Sequence, residues 1–366
     1  MKKIFKNKTV LITGHTGFKG SWLCTWLAHL GANVIGASID IPSTPSNFSV
    51  SLIADVVEDY RVDVTDAKEI RLLIKKVRPD FVFHLAAQAL VRASYRDPLE
   101  TITTNAIGSA NILDALRMLN KKVVAIMITS DKAYDNVEWL WGYRENDRLG
   151  GKDPYSASKG MAELAIRSYV ESFFKSPESN VRVGITRAGN VIGGGDWASD
   201  RIVPDCMNAW SNGETVDIRS PHATRPWQHV LEPLSGYLVL ASNIANDEKR
   251  QGEAYNFGPS ADQNYPVSEL INEMSKYWDQ VKWNDISRKK NYIFESGLLK
   301  LNCDKALSDL DWHSTLQFDE TIQMTVEWYK TYYQNKDQSM FDFTINQIQK
   351  YTKLANSRGL TWASND

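Results

Sequence analysis

The stretch Thr9-Val10-Leu11-Ile12-Thr13-Gly14-His15-Thr16-Gly17-Phe18-Lys19-Gly20 runs a β-branched apolar segment straight into glycines at a G-x-x-G-x-x-G spacing. The first five residues suit a buried strand, and Ser21 to Leu30 after the glycines reads as a helix. Residues without Cβ let the backbone come close to a pyrophosphate, and a helix amino terminus offers free N–H groups and a positive dipole end. A glycine cluster alone is commonly an ordinary turn. Its place between a strand and a helix gives this one its weight.

Outward from that junction the same alternation repeats. Asn33 to Ile39 forms a second strand, Ala67 to Val77 a helix, Phe81 to Leu85 a strand, Thr104 to Leu119 a helix, and Val123 to Thr129 a strand. A long helix from Pro154 to about Phe174 and a strand Val181 to Thr186 follow. Repeated β-α units predict an α/β fold, a Rossmann-type doubly wound parallel sheet with helices on both faces. Beyond Asn190 the pattern changes to Gly193-Gly194-Gly195 and scattered helices, which predicts a smaller mixed α/β lobe. The expected division is residues 1–190 for nucleotide binding and 191–366 mainly for substrate, with 230–258 returning to the sheet.

With 42 Lys and Arg against 44 Asp and Glu in 366 residues, the net charge of -2 gives no global pull toward nucleic acid or membrane surfaces. Cys24, Cys206 and Cys303 lack the spacing of a zinc site or a disulfide framework. No apolar run approaches the roughly 20 residues of a membrane span, nor is there a signal-peptide core after Met1. A cytoplasmic enzyme without a metal is the expectation.

Asp40 closes the second strand about 20 residues past the last glycine, where a carboxylate accepts hydrogen bonds from the adenosine ribose and repels a 2'-phosphate. NAD is therefore expected, held by Gly14, Thr16, Gly17, Phe18, Lys19 and Gly20. Asp63 and Val64 are placed to meet the adenine, and Leu85, Ala86 and Ala87 close a third strand beside the cofactor. About 140 residues past the glycine loop, Tyr155 and Lys159 stand one helical turn apart. An unperturbed phenol has a pKa near 10, so service as a base near neutrality needs a neighbouring positive charge. Lys159 supplies one. Ser130, at the carboxyl end of a strand, is placed to hydrogen-bond the reacting hydroxyl. Asp131 and Lys132 add an acid/base pair that simple alcohol oxidation does not need and elimination of water does. A surface turn carrying a solvated ion pair is the plainer reading of those two.

These residues resemble the extended short-chain dehydrogenase/reductase family, and within it the sugar-nucleotide 4,6-dehydratases. The resemblance spans nearly the whole chain. It rests on Gly14 to Gly20, Leu85-Ala86-Ala87, Thr129-Ser130-Asp131-Lys132-Ala133-Tyr134, Tyr155/Lys159, Arg187-Ala188-Gly189-Asn190, Asp304-Lys305-Ala306 and Val326-Glu327-Trp328-Tyr329. Trp139 to Asp147 and Gly193-Gly194-Gly195-Asp196-Trp197 look like the branch that acts on CDP-D-glucose. Lys132 stands where dehydratases of dTDP-glucose or GDP-mannose typically carry Glu, which leaves the identity of the C5 base open. The resemblance implies C4 oxidation, loss of water across C5 and C6, and hydride return to C6, for deoxysugar and surface-polysaccharide synthesis. It places Asn190, Arg201 and Arg225 around the substrate diphosphate and Gln88 near the sugar. The Trp139–Tyr143 segment is a candidate for shaping the pocket, with core packing the default for any single tryptophan. It also implies a homodimer, or a tetramer, built on the helices near Asn105 and Tyr155. A nucleotide-sugar 4-epimerase is the close alternative, and a non-enzymatic NAD-binding sensor the remote one.

Overall fold

Seven strands, β1 (Thr9–Thr13), β2 (Asn33–Ser38), β3 (Glu58–Arg61), β4 (Phe81–His84), β5 (Val123–Ile128), β6 (Val181–Arg187) and β7 (Ala254–Asn256), form one parallel sheet. Their order is β3-β2-β1-β4-β5-β6-β7. The structure, a computed structural model, describes residues 1–287 and 298–364. Val10 of β1 lies opposite Val34 on one side and Phe81 on the other, so β1 is hydrogen-bonded along both edges. Helices cover both faces, and β1, β4 and β5 accordingly read as continuous apolar runs rather than alternating ones. The chain changes direction across the sheet between β1 and β4. In such sheets the loops at the carboxyl ends of those two strands enclose the ligand crevice.

The principal helices are α1 (Phe18–His29), α2 (Ala67–Val77), α3 (Gly108–Arg117), α4 (Pro154–Tyr169), α5 (Leu231–Asn246), α6 (Phe318–Gln334) and α7 (Met340–Ser357). Local chemistry sets two of the starts: Asp66 caps α2 by accepting from Lys68 N and Glu69 N, and Asp153 caps α4, which opens on Pro154. One apolar core contains Trp22, Trp26, Phe83, Ile126, Tyr237, Trp312 and Trp328; the other, on the opposite face of the sheet, contains Leu11, Ile35, Leu73, Ile112, Leu116 and Ile166. Residues 191–192 pair with 228–229, 224–225 with 265–266, and 216–218 with 283–285, giving three short ladders outside the main sheet. Among the described residues no helix is long and apolar enough to cross a membrane.

Several boundaries differ from the sequence expectation for identifiable reasons. α1 begins at Phe18 rather than Ser21, because Gly17 adopts the extended N-cap conformation and the last residues of the glycine motif form the first turn. β2 ends at Ser38, so Asp40 stands in the following loop instead of closing the strand. The helix expected from Thr104 starts at Pro98, capped by Asp97, and widens into a π-turn over Thr103–Ile107 before α3. Such a widened turn inserts one residue into the helical ladder, which periodicity alone does not reveal.

Candidate active site

The crevice is a cavity of about 1440 Å³, and its wall includes almost every residue that sequence reasoning nominated. Gly14, Thr16, Gly17, Phe18, Lys19, Gly20, Asp40, Asp63, Val64, Leu85, Ala86 and Ala87 line one part; Ser130, Asp131, Lys132, Tyr155, Lys159, Asn190, Arg201 and Arg225 line the rest, with Gln88 between. A volume of this size accommodates more than one drug-sized ligand.

The glycines are required by close approach. Gly14 has φ +72°, and a Cβ there would lie 2.7 Å from Ala86 N; a Cβ on Gly20 would lie 2.1 Å from Gly14 O. The loop is thus pressed against β4 and its own helix, leaving its outer surface for a diphosphate at the α1 amino terminus. Thr16 Oγ1 donates to Asp40 O at 2.6 Å, fixing the loop that carries the Asp40 carboxylate. Arg61, which the sequence did not single out, donates from Nη1 to Asp40 O at 3.2 Å and pairs through Nη2 with Asp59 at 2.7 Å. The donors and spaces present fit NAD.

At the other end of the cavity, Tyr155 and Ser130 are both buried. Burial pushes the Tyr155 phenol up to about 12, with a hydrogen bond to Ser130 pulling against it. The Lys159 ammonium lies 6.0 Å from the Tyr155 ring centroid. Burial first, and the Lys19 ammonium second, pull Lys159 down to about 8. Tyr155 is held from both sides, its N–H donating to Ser94 Oγ at 3.2 Å and its carbonyl accepting from Ser158 Oγ at 2.7 Å. Asn105 Nδ2 then bonds Ser158 Oγ at 2.8 Å and Gln88 O at 3.0 Å, tying the loop after β4 to the helix that carries Tyr155.

Asp131 is nearly fully buried and accepts a hydrogen bond from Ser130 Oγ at 2.8 Å. Its carboxylate packs so tightly on Gly189 that a Cβ there would come 1.9 Å from Oδ2. This explains the glycine in Arg187-Ala188-Gly189-Asn190. Arg201 pairs with Asp196 at 2.7 Å, and that carboxylate raises its basicity against the cost of burial.

Gln88 lines the cavity as expected, and its amide is also tied to the protein, whereas the Trp139–Tyr143 segment lies elsewhere. Gln88 Nε2 donates to Leu90 O at 3.0 Å and to Thr101 Oγ1 at 2.9 Å, while its Oε1 accepts from Leu90 N at 2.5 Å. Its amide braces the loop at the cavity wall, and both Nε2 protons are engaged there. The Trp139–Tyr143 segment does not line the cavity: Tyr143 stacks on Tyr134 with centroids 5.1 Å apart, Trp139 packs on Tyr143, and Leu140 and Trp141 are exposed. Its aromatics make a small core of their own with Leu299.

Sequence reasoning missed the support beneath the site. Arg187, wholly buried, is bonded to both oxygens of Glu163, at 2.6 Å from Nε and 2.5 Å from Nη2, and through Nη1 to Tyr134 Oη and Glu145 O. Burial works against the Arg187 charge, yet the Glu163 carboxylate outweighs it and raises the guanidinium further. Thr129 Oγ1 also donates to Glu163 Oε1 at 2.7 Å, one residue before Ser130. Glu163 sits one turn past Lys159 on α4. The network therefore joins the end of β5, α4 and β6. Nothing in the spacing of Thr129, Glu163 and Arg187 announces it, because the partners come from three separate elements.

Known proteins were compared with the chain. A profile of the GDP-mannose 4,6 dehydratase family matches residues 11–325. The CDP-glucose 4,6-dehydratase of Salmonella typhimurium strain LT2 is 43% identical over 340 residues, covering 92% of this chain and 94% of that protein. In fold, the chain is similar to the dTDP-glucose 4,6-dehydratase DesIV of Streptomyces venezuelae, solved with NAD bound, at TM-score 0.73 and 22% identity over 88% of this chain and 97% of that one. The UDP-glucose 4-epimerase of Thermotoga maritima, solved with UDP-glucose, superposes at TM-score 0.74 with 22% identity over 88% and 99%. A profile match across most of the chain, joined to that 43% identity, shows that the protein belongs to the GDP-mannose 4,6 dehydratase family.

Proposed function

We infer that the protein removes water from CDP-D-glucose to give CDP-4-dehydro-6-deoxy-D-glucose. The observation that carries this reading is the convergence of Ser130, Tyr155 and Lys159 with Asp131 and Lys132 on one cavity, in a chain so similar to a CDP-glucose 4,6-dehydratase. NAD along the Gly14–Gly20 loop supplies the hydride acceptor and donor for both halves of the reaction. Tyr155 takes the proton of the C4 hydroxyl, and Ser130 hydrogen-bonds the same oxygen. Lys159 stabilises the phenolate form of Tyr155 that accepts this proton. Once C4 is a carbonyl, the C5 proton is acidic; Lys132 is the group assigned to remove it, and Asp131 delivers a proton to the departing C6 hydroxyl. Asn190, Arg201 and Arg225 take the diphosphate, where guanidinium groups give charge-assisted contacts.

Incubating the purified protein with CDP-, dTDP- and UDP-glucose and GDP-mannose tests the substrate. Loss of water, read by mass, is expected from CDP-glucose alone, and CDP-glucose deuterated at C4 is expected to yield product labelled at C6. A product of unchanged mass would point to the 4-epimerase reading instead, because epimerisation has no use for the Asp131–Lys132 pair.

The reading also includes residues 191–366, outside the returning segment 230–258, as the substrate lobe, and a cytoplasmic location, supported by three free cysteines. It includes a homodimer through the helical segment 98–107, which carries Asn105, and α4, which carries Tyr155. Leu99 is 75% exposed and Leu164 60%, and with Ile107 and Met161 they give an apolar outer face suited to a second copy. Sedimentation equilibrium should return twice 41.4 kDa; a monomer would remove this assignment, and a tetramer would extend it.

A further inference from the structure

The cavity contains a cation that the chemistry above leaves without a task. Lys19, the second residue of α1, lines the cavity with Asp131, Tyr155, Lys159 and Arg201. Its ammonium makes no hydrogen bond or ion pair with a described residue, whereas the nearby carboxylates are engaged, Asp196 by Arg201 at 2.7 Å and Asp131 by the Ser130 hydroxyl at 2.8 Å. Burial and the charge of Arg201 pull the Lys19 ammonium down to about 8, against weaker support from Asp131 and Asp196. Those are the marks of a cation lacking its anion. Lys19 is half-buried on the cavity wall, so an ammonium without an anion beside it is placed to take one from a ligand that enters the cavity.

The charges whose fields reach Lys19 favour one ligand over the other. They are Arg201, Asp131, Asp196 and Lys159, all at the catalytic end of the cavity, and neither Asp40 nor Asp63 of the adenosine end is among them. The cofactor diphosphate is served by backbone N–H groups of the glycine loop, which needs no lysine side chain. We propose that Lys19 is a substrate-binding residue, its ammonium contacting the diphosphate of the nucleotide sugar together with Arg201. This reassigns a residue that its motif placed in the cofactor cradle. It rests on the nucleotide-sugar reading above, but not on the identity of the base.

The test is calorimetric titration of CDP, UDP, dTDP and GDP into NAD-loaded wild-type protein, then of whichever nucleotide binds into Lys19→Met and Lys19→Arg. Loss of a charge-assisted contact to phosphate is expected to weaken nucleotide affinity about 10- to 100-fold in Lys19→Met, with KM for the nucleotide sugar rising in parallel. The accompanying change in kcat should be much smaller, NAD content should be retained, and Lys19→Arg should recover most of the affinity. Lys19→Gln repeats the measurement if the Met variant folds poorly. Unchanged nucleotide affinity sinks the proposal: if NAD content falls with it, Lys19 belongs to the cofactor, and if kcat collapses alone, it belongs to the hexose chemistry. Wild-type binding of UDP or dTDP in place of CDP would overturn the base assignment while leaving the Lys19 test intact.

Discussion

Tyr155→Phe is expected to lower kcat for the dehydration by about 10²- to 10⁴-fold, the range associated with a positioned general base. The phenol is buried and, with the protein's own groups alone, burial pushes it up to about 12, so it is a poor base until positive charge reaches it. Lys159 carries that charge only while protonated, and it is already pulled down to about 8. Removing the hydroxyl deletes the proton acceptor itself. Ser130 is an ordinary alcohol with its hydroxyl directed to Asp131, so it does not replace the phenol. The phenyl ring still fills the same space, and NAD content and nucleotide affinity should stay within a few-fold of wild type. Water loss measured by mass would decide it: a variant retaining more than a tenth of wild-type turnover would remove Tyr155 from the proposed role.

The second large effect is on stability. Arg187→Met leaves the Glu163 carboxylate buried and unpaired, and breaking one side of a buried pair costs about 3–5 kcal/mol. Both side chains have no solvent exposure, so screening does not soften the loss. The Tyr134 hydroxyl and Glu145 carbonyl lose a partner in the same step. Denaturant titration should show the midpoint falling sharply in Arg187→Met and in Glu163→Leu. The double variant should recover much of it, since two apolar side chains replace two charges and neither is stranded. Its turnover should remain depressed, because Thr129 and α4 are no longer tied together beside Ser130 and Lys159. A double variant as unstable as the sum of the singles would show that the pair is not the coupled unit described here.

The contrast between the two predictions reflects where the information lies. Tyr155 and Lys159 were legible because a helix places residues four apart on one face, whatever packs around it. Arg187 carried no such mark. Its neighbours Ala188, Gly189 and Asn190 formed a familiar string, but the reason for Gly189 is the Asp131 carboxylate folded onto it from another loop.

The sequence by itself determined the alternation of strands and helices, the glycine loop with Asp40 beyond it, and the Ser130, Asp131, Lys132, Tyr155 and Lys159 set. Each depends on spacing along one element or on the turn that ends it, and such relations are written locally. Only the tertiary structure decided that Gln88 braces a loop, that Trp139 to Tyr143 packs away from the cavity, that Glu163 and Arg187 tie α4 to β5 and β6, and that Lys19 lines the same cavity as Asp131, Tyr155, Lys159 and Arg201. Those outcomes depend on which distant groups satisfy a buried charge or a hydrogen bond, and a chain's order does not state its partners until it is folded.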